Sequence, residues 1–162
     1  MKKVGRIKHI DLQTKLRPYE ALILSTLFYG GEVWPLTVTL SKKLEAAHHR
    51  LLRGILGITW RDIVTNEEVR KRTGHVLHGK VIRERRMRWL GHVARMDEVR
   101  ISKQALHWEV AGFRRRRGMP RMNWRDVVKK DLQRMGLTWE EVEASARHSW
   151  RQRVALCIGD AG

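Results

Sequence analysis

One cysteine, Cys157, stands in a chain of 162 residues. No disulfide can form within it, which fits a reducing compartment. The three prolines, Pro18, Pro35 and Pro120, each fall where a helix must bend or stop. Long hydrophobic runs are missing too. The longest apolar stretch, Ala21 to Phe28, is broken by Ser25 and Thr26, far short of the ~18–20 residues of a transmembrane helix. The basic N-terminus ahead of that stretch imitates a signal peptide. Tyr29-Gly30-Gly31-Glu32 follows it in place of a small-residue cleavage site, so no secretory leader is expected. Acidic residues are scarce: 17 Asp and Glu face 34 Lys and Arg.

That imbalance gives a formal net charge of +17 and a pI of about 11.2. A compact body so charged repels itself unless an anionic partner neutralises it. Nucleic acid is the commonest such partner and an anionic membrane surface the next. No small-molecule substrate, cofactor or membrane partner is expected. Arg outnumbers Lys 23 to 11, and Arg is the residue suited to bidentate phosphate contacts. Leu, Ile, Val and Phe make up about 26% of the chain, above the roughly 20% below which charged chains stay disordered. A folded domain is expected, marginal without its partner.

The patterning reads as mainly α. A helix over roughly 10–29 carries Leu12, Leu16, Tyr19, Ile23 and Leu27 at helical spacing, with a kink or restart at Pro18 and a stop at Gly30-Gly31. An extended piece over 32–40 follows. Ser41 is then the expected N-cap of a helix that Gly57 ends. Thr65-Asn66-Glu67-Glu68 has capping-box form and opens a short helix to Gly74. A longer helix over 76–96 places Ile82, Trp89, Val93 and Met96 on one face, Glu84, Arg88 and Arg95 opposite, and Arg85 and Arg86 at the flanks. From Ala111 to Arg121 two glycines and a proline surround four consecutive arginines, which reads as a loop. Asn123 caps a helix to Met135, and Thr138-Trp139-Glu140-Glu141 is a second capping box opening the last helix. The expected organisation is 1–60, a basic helical connector over 61–110, an Arg-rich loop over 111–123 and a C-terminal helical pair over 124–157.

Positive charge is concentrated: from Lys80 to Arg125, 14 basic residues face 4 acidic ones. The run Arg114-Arg115-Arg116-Arg117 is the leading candidate for phosphate contact, since clustered charges release counterions. A solvated linker or a localisation signal uses the same chemistry. The candidate nucleic-acid-binding set is Arg83, Arg85, Arg86, Arg88 and Arg95 on the long helix, Arg114 to Arg117 and Arg121 in the loop, and Arg125 beyond it. Of seven tryptophans most are read as core, and Trp108 and Trp124 beside the loop are the candidates for base stacking. His48 and His49 are adjacent and point apart, while His75 and His78 could share a helical face. Without CxxC or paired His-x3–5-His elements, no zinc or other metal site is expected. His92 is explained as well by packing or capping as by catalysis. No nucleophile elbow, P-loop or dinucleotide loop is present, and Asp62, Asp97, Asp126 and Asp131 occupy cap or polar-face positions. No catalytic residue is assigned.

Several strings are familiar together. Leu27-Phe28-Tyr29-Gly30-Gly31-Glu32-Val33-Trp34 resembles the LYGAETW block of non-LTR (LINE-type) retrotransposon reverse transcriptases. Leu44-Glu45-Ala46 through Leu52-Arg53-Gly54-Ile55-Leu56-Gly57-Ile58 resembles the LEAFxxRxLRRILGI helix that follows it. Trp60-Arg61-Asp62 with Thr65-Asn66-Glu67-Glu68-Val69 is similar to WRDRVTNEEV. Arg88-Trp89-Leu90-Gly91-His92-Val93-Ala94-Arg95-Met96 is similar to RWLGHVxRM, and Arg117-Gly118-Met119-Pro120-Arg121 with Trp124-Arg125-Asp126 to RGRPxxxWxD. The blocks keep the family's order over roughly 12–155.

The resemblance implies the thumb and C-terminal region of an endonuclease–reverse transcriptase: a helical thumb-like bundle, then the basic loop and the C-terminal helical pair. The family's polymerase aspartates and its endonuclease lie in segments this chain does not match, so no catalytic residue carries over and the chain alone is not expected to be an enzyme. Met119 stands where the family often has Arg, and the cysteines of a C-terminal zinc knuckle are absent. The implied role is gripping primer–template or target RNA or DNA, duplexes by shape and phosphate rather than by sequence. A separate palm or endonuclease segment is a further partner, and the location is intracellular, in the nucleus. A decayed transposon reading frame without selected activity, or a small helical protein-interaction module, is the alternative.

Overall fold

The computed structural model describes residues 10–107, 117–118, 122–145 and 149–159. These residues are mainly α-helical, with no strand among them. Contacts divide the chain into two compact units, Met1–Gly31 with Thr37–Val81, and Glu32–Leu36 with Ile82–Gly162.

The first unit opens with α1 (Leu12–Pro18), capped by the Asp11 carboxylate, which accepts from Gln13 N–H. Pro18 has no N–H to give the preceding turn. The chain answers with a π-helical segment, Tyr19–Leu24, in which Ser25 N–H reaches back to Glu20 O. It continues as α2 (Ser25–Leu27) and stops at Gly30, whose φ of +66° suits glycine. The expected bend at Pro18 is thus a widened turn, and it points Tyr19 fully inward.

The next helix, α3 (Val38–Leu56), begins earlier than its sequence suggests. Thr37, not Ser41, is the N-cap: its side chain accepts from Leu40 N–H at 3.3 Å, and Ser41 N–H is already bonded to Thr37 O. The β-branched Val38 and Thr39 are absorbed into the first turn, and the expected extended piece shrinks to a 3-10 turn at Gly31–Val33 and the residues up to Thr37. Gly57 ends α3 at φ +71°, and α4 (Asn66–Thr73) runs from its Thr65 cap to Gly74. Leu16, Tyr19, Leu52, Ile55 and Val69 form this unit's buried cluster. Each fully buried aliphatic side chain contributes about 1.5–3 kcal/mol.

Helix α5 (His78–Ala94) starts in the first unit and continues in the second. Then come α6 (Ile101–His107), α7 (Trp124–Arg134), α8 (Trp139–Ser145) and α9 (Trp150–Gly159). Asn123 makes a complete capping box with Asp126, and Thr138 makes one with Glu141. The single last helix read from the sequence is two, α8 and α9. The core gathers Met87, Leu90 and Val93 of α5, Leu106, Val128, Leu132, Val142, Trp150 and Val154. Ile82 and Val93 are buried as expected, but Trp89 and Met96 are only half-buried.

Two contacts define this second core. Trp150 Nε1–H donates to Met87 O at 2.7 Å, and the indole lies so close to Gly91 that a Cβ there would sit 1.9 Å from Trp150 Cδ1. Asp131, on α7, is buried and accepts from Arg86, with Arg83 Nε at 3.4 Å and an Arg134 nitrogen at 3.7 Å.

Candidate nucleic-acid interface

Four residues of α5, Arg85, Arg88, Trp89 and His92, recur at helical spacing on one face, and Arg95, in the turn just after the helix, continues the row. Arg85, Arg88, His92 and Arg95 are exposed, and Trp89 is half-buried against the core. With Trp150 and Arg151 from α9, and Glu32, they line an open groove of about 740 Å³. The Trp89 and His92 rings stand 5.4 Å apart at 39°, forming a tilted aromatic wall. Arg88 also pairs with Glu84 on its own helix. A second depression of about 710 Å³ shares His92 and Arg95 and adds Arg100. Cations therefore follow one side of α5 and continue past its C-terminal end. Such a row can neutralise successive phosphates, and the aromatic wall can accept a base face.

The candidate residues from the sequence separate into distinct environments. Arg85, Arg88 and Arg95 meet in the groove. Arg83 is half-buried against Asp131. Arg86 is 2% exposed and bonds Asp131 and the carbonyl of Trp34, so its guanidinium is a core group and cannot serve as a surface phosphate contact. Burial pulls Arg86 below the usual guanidinium range, and Asp131 opposes that pull. Arg125 is half-buried and stands 5.9 Å over the Trp139 ring. Trp124 is half-buried, with Nε1–H donating to Glu32 O at 2.7 Å, so its polar edge is engaged in structure. Arg117 is exposed. Arg114, Arg115, Arg116, Arg121 and Trp108 lie outside the described residues.

Sequence reasoning missed His92, Trp89 and Arg151 as groove residues. The spacing of Arg85, Arg88, Trp89, His92 and Arg95 was a legible signal for the first two. Nothing in the sequence brings Arg151 beside them. Trp60 departs from the expected core role too: it is 87% exposed, with the Arg61 guanidinium 5.4 Å from its ring. The turn behind it is held by Asp62, which accepts from Thr59 N–H at 2.7 Å and Thr59 Oγ1 at 2.8 Å. Those bonds lower the Asp62 carboxyl below its usual range.

A different chemistry sits inside the first unit. His48 is buried among His49, His75 and His78, with His48 and His78 ring centres 3.8 Å apart. Tyr19 hydroxyl meets His48 Nδ1, and Glu45 accepts from Gly79 N–H at 3.1 Å. His48 Nε2, both His78 ring nitrogens and Glu45 Oε2 are buried without a hydrogen bond. Burial, then the neighbouring histidines and Arg70, lowers His48 to about 3. Burial lowers His75 and His78 as well, against the pull of Glu20 and Glu45 respectively. Burial, then Glu45, raises Tyr19 to about 12. Among the described residues no group of three or more His, Cys, Asp or Glu could hold a metal ion. No helix among them is long and apolar enough to cross a membrane.

Comparison with known proteins adds one relative. A Caenorhabditis elegans protein described as uncharacterized and transposon-derived is 27% identical over 127 residues, 75% of this chain. The chain spans 45% of that relative's length. No family model matches, and no solved structure does.

Proposed function

We propose that this chain is a transposon-derived nucleic-acid-binding segment, corresponding to the thumb and C-terminal region of a non-LTR retrotransposon reverse transcriptase. It grips primer–template or target RNA or DNA through phosphate contacts and works as a binding part, not as a catalyst. The observation that carries this reading is the convergence of Arg85 and Arg88 of one helix, Arg95 just past its end and Arg151 of another helix on a single open groove. The transposon-derived relative and the five ordered sequence blocks support the origin. The net charge of +17 supports a polyanionic partner.

The test is binding of a primer–template oligonucleotide, a duplex with a single-stranded overhang, over a salt series. Wild type binds with a steep salt slope. Reversing Arg88, Arg95 and Arg151 to Glu weakens binding and makes the slope shallower by about 2, for three contacts at roughly 0.7 each on a single strand. Salt-independent binding, or equal affinity of the triple variant at low salt, would overturn the reading. A decayed remnant is the competing account, favoured by the unbonded buried nitrogens of the first unit. It predicts a featureless thermal melt where a selected domain melts cooperatively.

A further inference from the structure

We propose that the α5 groove takes an unpaired polynucleotide strand, with a base against Trp89 and His92 and flanking phosphates on Arg85, Arg88, Arg95 and Arg151. This rests on the nucleic-acid reading above and specifies the form of its ligand.

Three features point to a single strand. The groove's volume, about 740 Å³, lies in the range of sites that enclose small ligands, ~300–1,000 Å³. A nucleotide or two fits within it. The wall itself is aromatic. Bases in a duplex stack on each other, so a half-buried indole and an exposed imidazole among arginines gain a base partner only from an unpaired base. Finally, the lining cations come from separate elements, Arg85 and Arg88 from α5, Arg95 from the turn after it and Arg151 from α9, which suits a strand running along the groove with phosphates met from more than one element.

The back of the groove is rigid. Trp150 is held by its bond to Met87 O and by contact with Gly91, which locks α9 against α5. Glu32 also lines the groove. A carboxylate repels a phosphate and accepts from exocyclic amino groups, so it favours a strand with its base turned inward and its backbone at the arginine rim. That orientation agrees with the position of Trp89.

The experiment uses the full chain and four fluorescein-labelled probes at one fixed salt: single-stranded 20-mers of mixed sequence as DNA and as RNA, and blunt 20-base-pair duplexes of each. Wild type binds the single strands at least about tenfold more tightly than the duplexes. His92→Ala changes an exposed side chain, and Trp89→Phe keeps an aromatic ring at the cost of a smaller side chain. Trp89→Ala weakens single-strand binding by about tenfold, as expected for one lost stacked base, while Trp89→Phe retains most of it. His92→Ala lowers single-strand affinity by several fold. Duplex affinity stays within about twofold for all three, and circular dichroism melts establish that each is folded. The DNA and RNA arms tell which strand is preferred. Equal or tighter duplex binding by wild type, or single-strand affinity unmoved by both His92→Ala and Trp89→Ala, overturns the strand proposal and leaves phosphate gripping standing. Failure of wild type to bind any of the four probes overturns both.

Discussion

The two units bury polar groups in opposite ways. In the second, a charged pair is taken inside and paired: Asp131 meets Arg86, Arg83 and Arg134, and Arg86 gives a second donor to the Trp34 carbonyl, with its Nε alone left unbonded. In the first, neutral imidazoles are packed together at tilted and edge-on angles, and several of their nitrogens are left without a bond. A paired buried charge is stable while both partners remain and fails when one is removed. A cluster of neutral histidines with few hydrogen bonds, among them Tyr19 hydroxyl to His48 Nδ1, is held mostly by packing and fails when protons arrive. The units should therefore respond to different perturbations.

Removing the carboxylate tests the first half of that contrast most severely. Asp131→Ala leaves the buried Arg86 guanidinium uncompensated, and the expected loss is about 3–5 kcal/mol. Denaturant melts should show it, with hydrogen exchange accelerating through residues 82–94 and 124–134. If the variant loses under 1 kcal/mol, the pair is not what orders that core. Gly91→Ala attacks the same unit without touching charge. The added methyl would sit 1.9 Å from Trp150 Cδ1, so α5 and α9 must separate, at a cost of about 1–3 kcal/mol or more. Retained stability would mean that Trp150 has another place to go.

Acid separates the units. His48, His75 and His78 hold folded values below the ordinary histidine value of 6.5. Between those values and 6.5 the unfolded chain binds more protons, so stability falls as pH falls. Their contribution is fully present above about 6.5 and is lost through the window below it, which for His48 extends to about 3. Hydrogen exchange at pH 7 and pH 5 should show residues 37–81 opening first. His48→Phe, which keeps a ring and removes the titration, should shrink the difference. Equal acid sensitivity in both units would break the comparison.

Local signals were legible where local chemistry decides. Gly57, Gly74 and Gly136 adopt positive φ, and Thr65, Asn123 and Thr138 cap as their spacing indicates. The mainly α fold follows from these. The start of α3 was not legible, because Val38 and Thr39 favour extended backbone and only the Thr37 cap draws them into the helix. Within α5 the arginines are chemically alike. Arg86 is a core group and Arg88 a groove group because Asp131, 45 residues away, stands on one side. Arg151 reaches the groove from a different helix, and Tyr19 reaches His48 across 29 residues through a widened turn that Pro18 announces only as a bend. Long-range pairings of this kind leave no periodicity to read.

The smallest expected effect sharpens the comparison at the helix ends. Asn123 and Asp126 satisfy one another reciprocally: Asp126 N–H donates to Asn123 Oδ1 at 2.8 Å, and Asn123 N–H to Asp126 Oδ2 at 3.0 Å. Thr65 does only half of this. It accepts from Glu68 N–H at 3.2 Å, while the Glu68 carboxylate turns away to Arg72 Nε at 2.9 Å. Substitution of an N-cap by alanine costs about 0.5–2 kcal/mol. Asn123→Ala should fall in the upper half of that range, since it also releases the Asp126 carboxylate from its ordered position, and Thr65→Ala in the lower half. Thermal melts of the two variants at pH 7 measure the difference. If Thr65→Ala proves the costlier, α4 depends on its cap more than its one-sided bonding indicates, and the first unit is held by its helix ends as much as by its histidine packing.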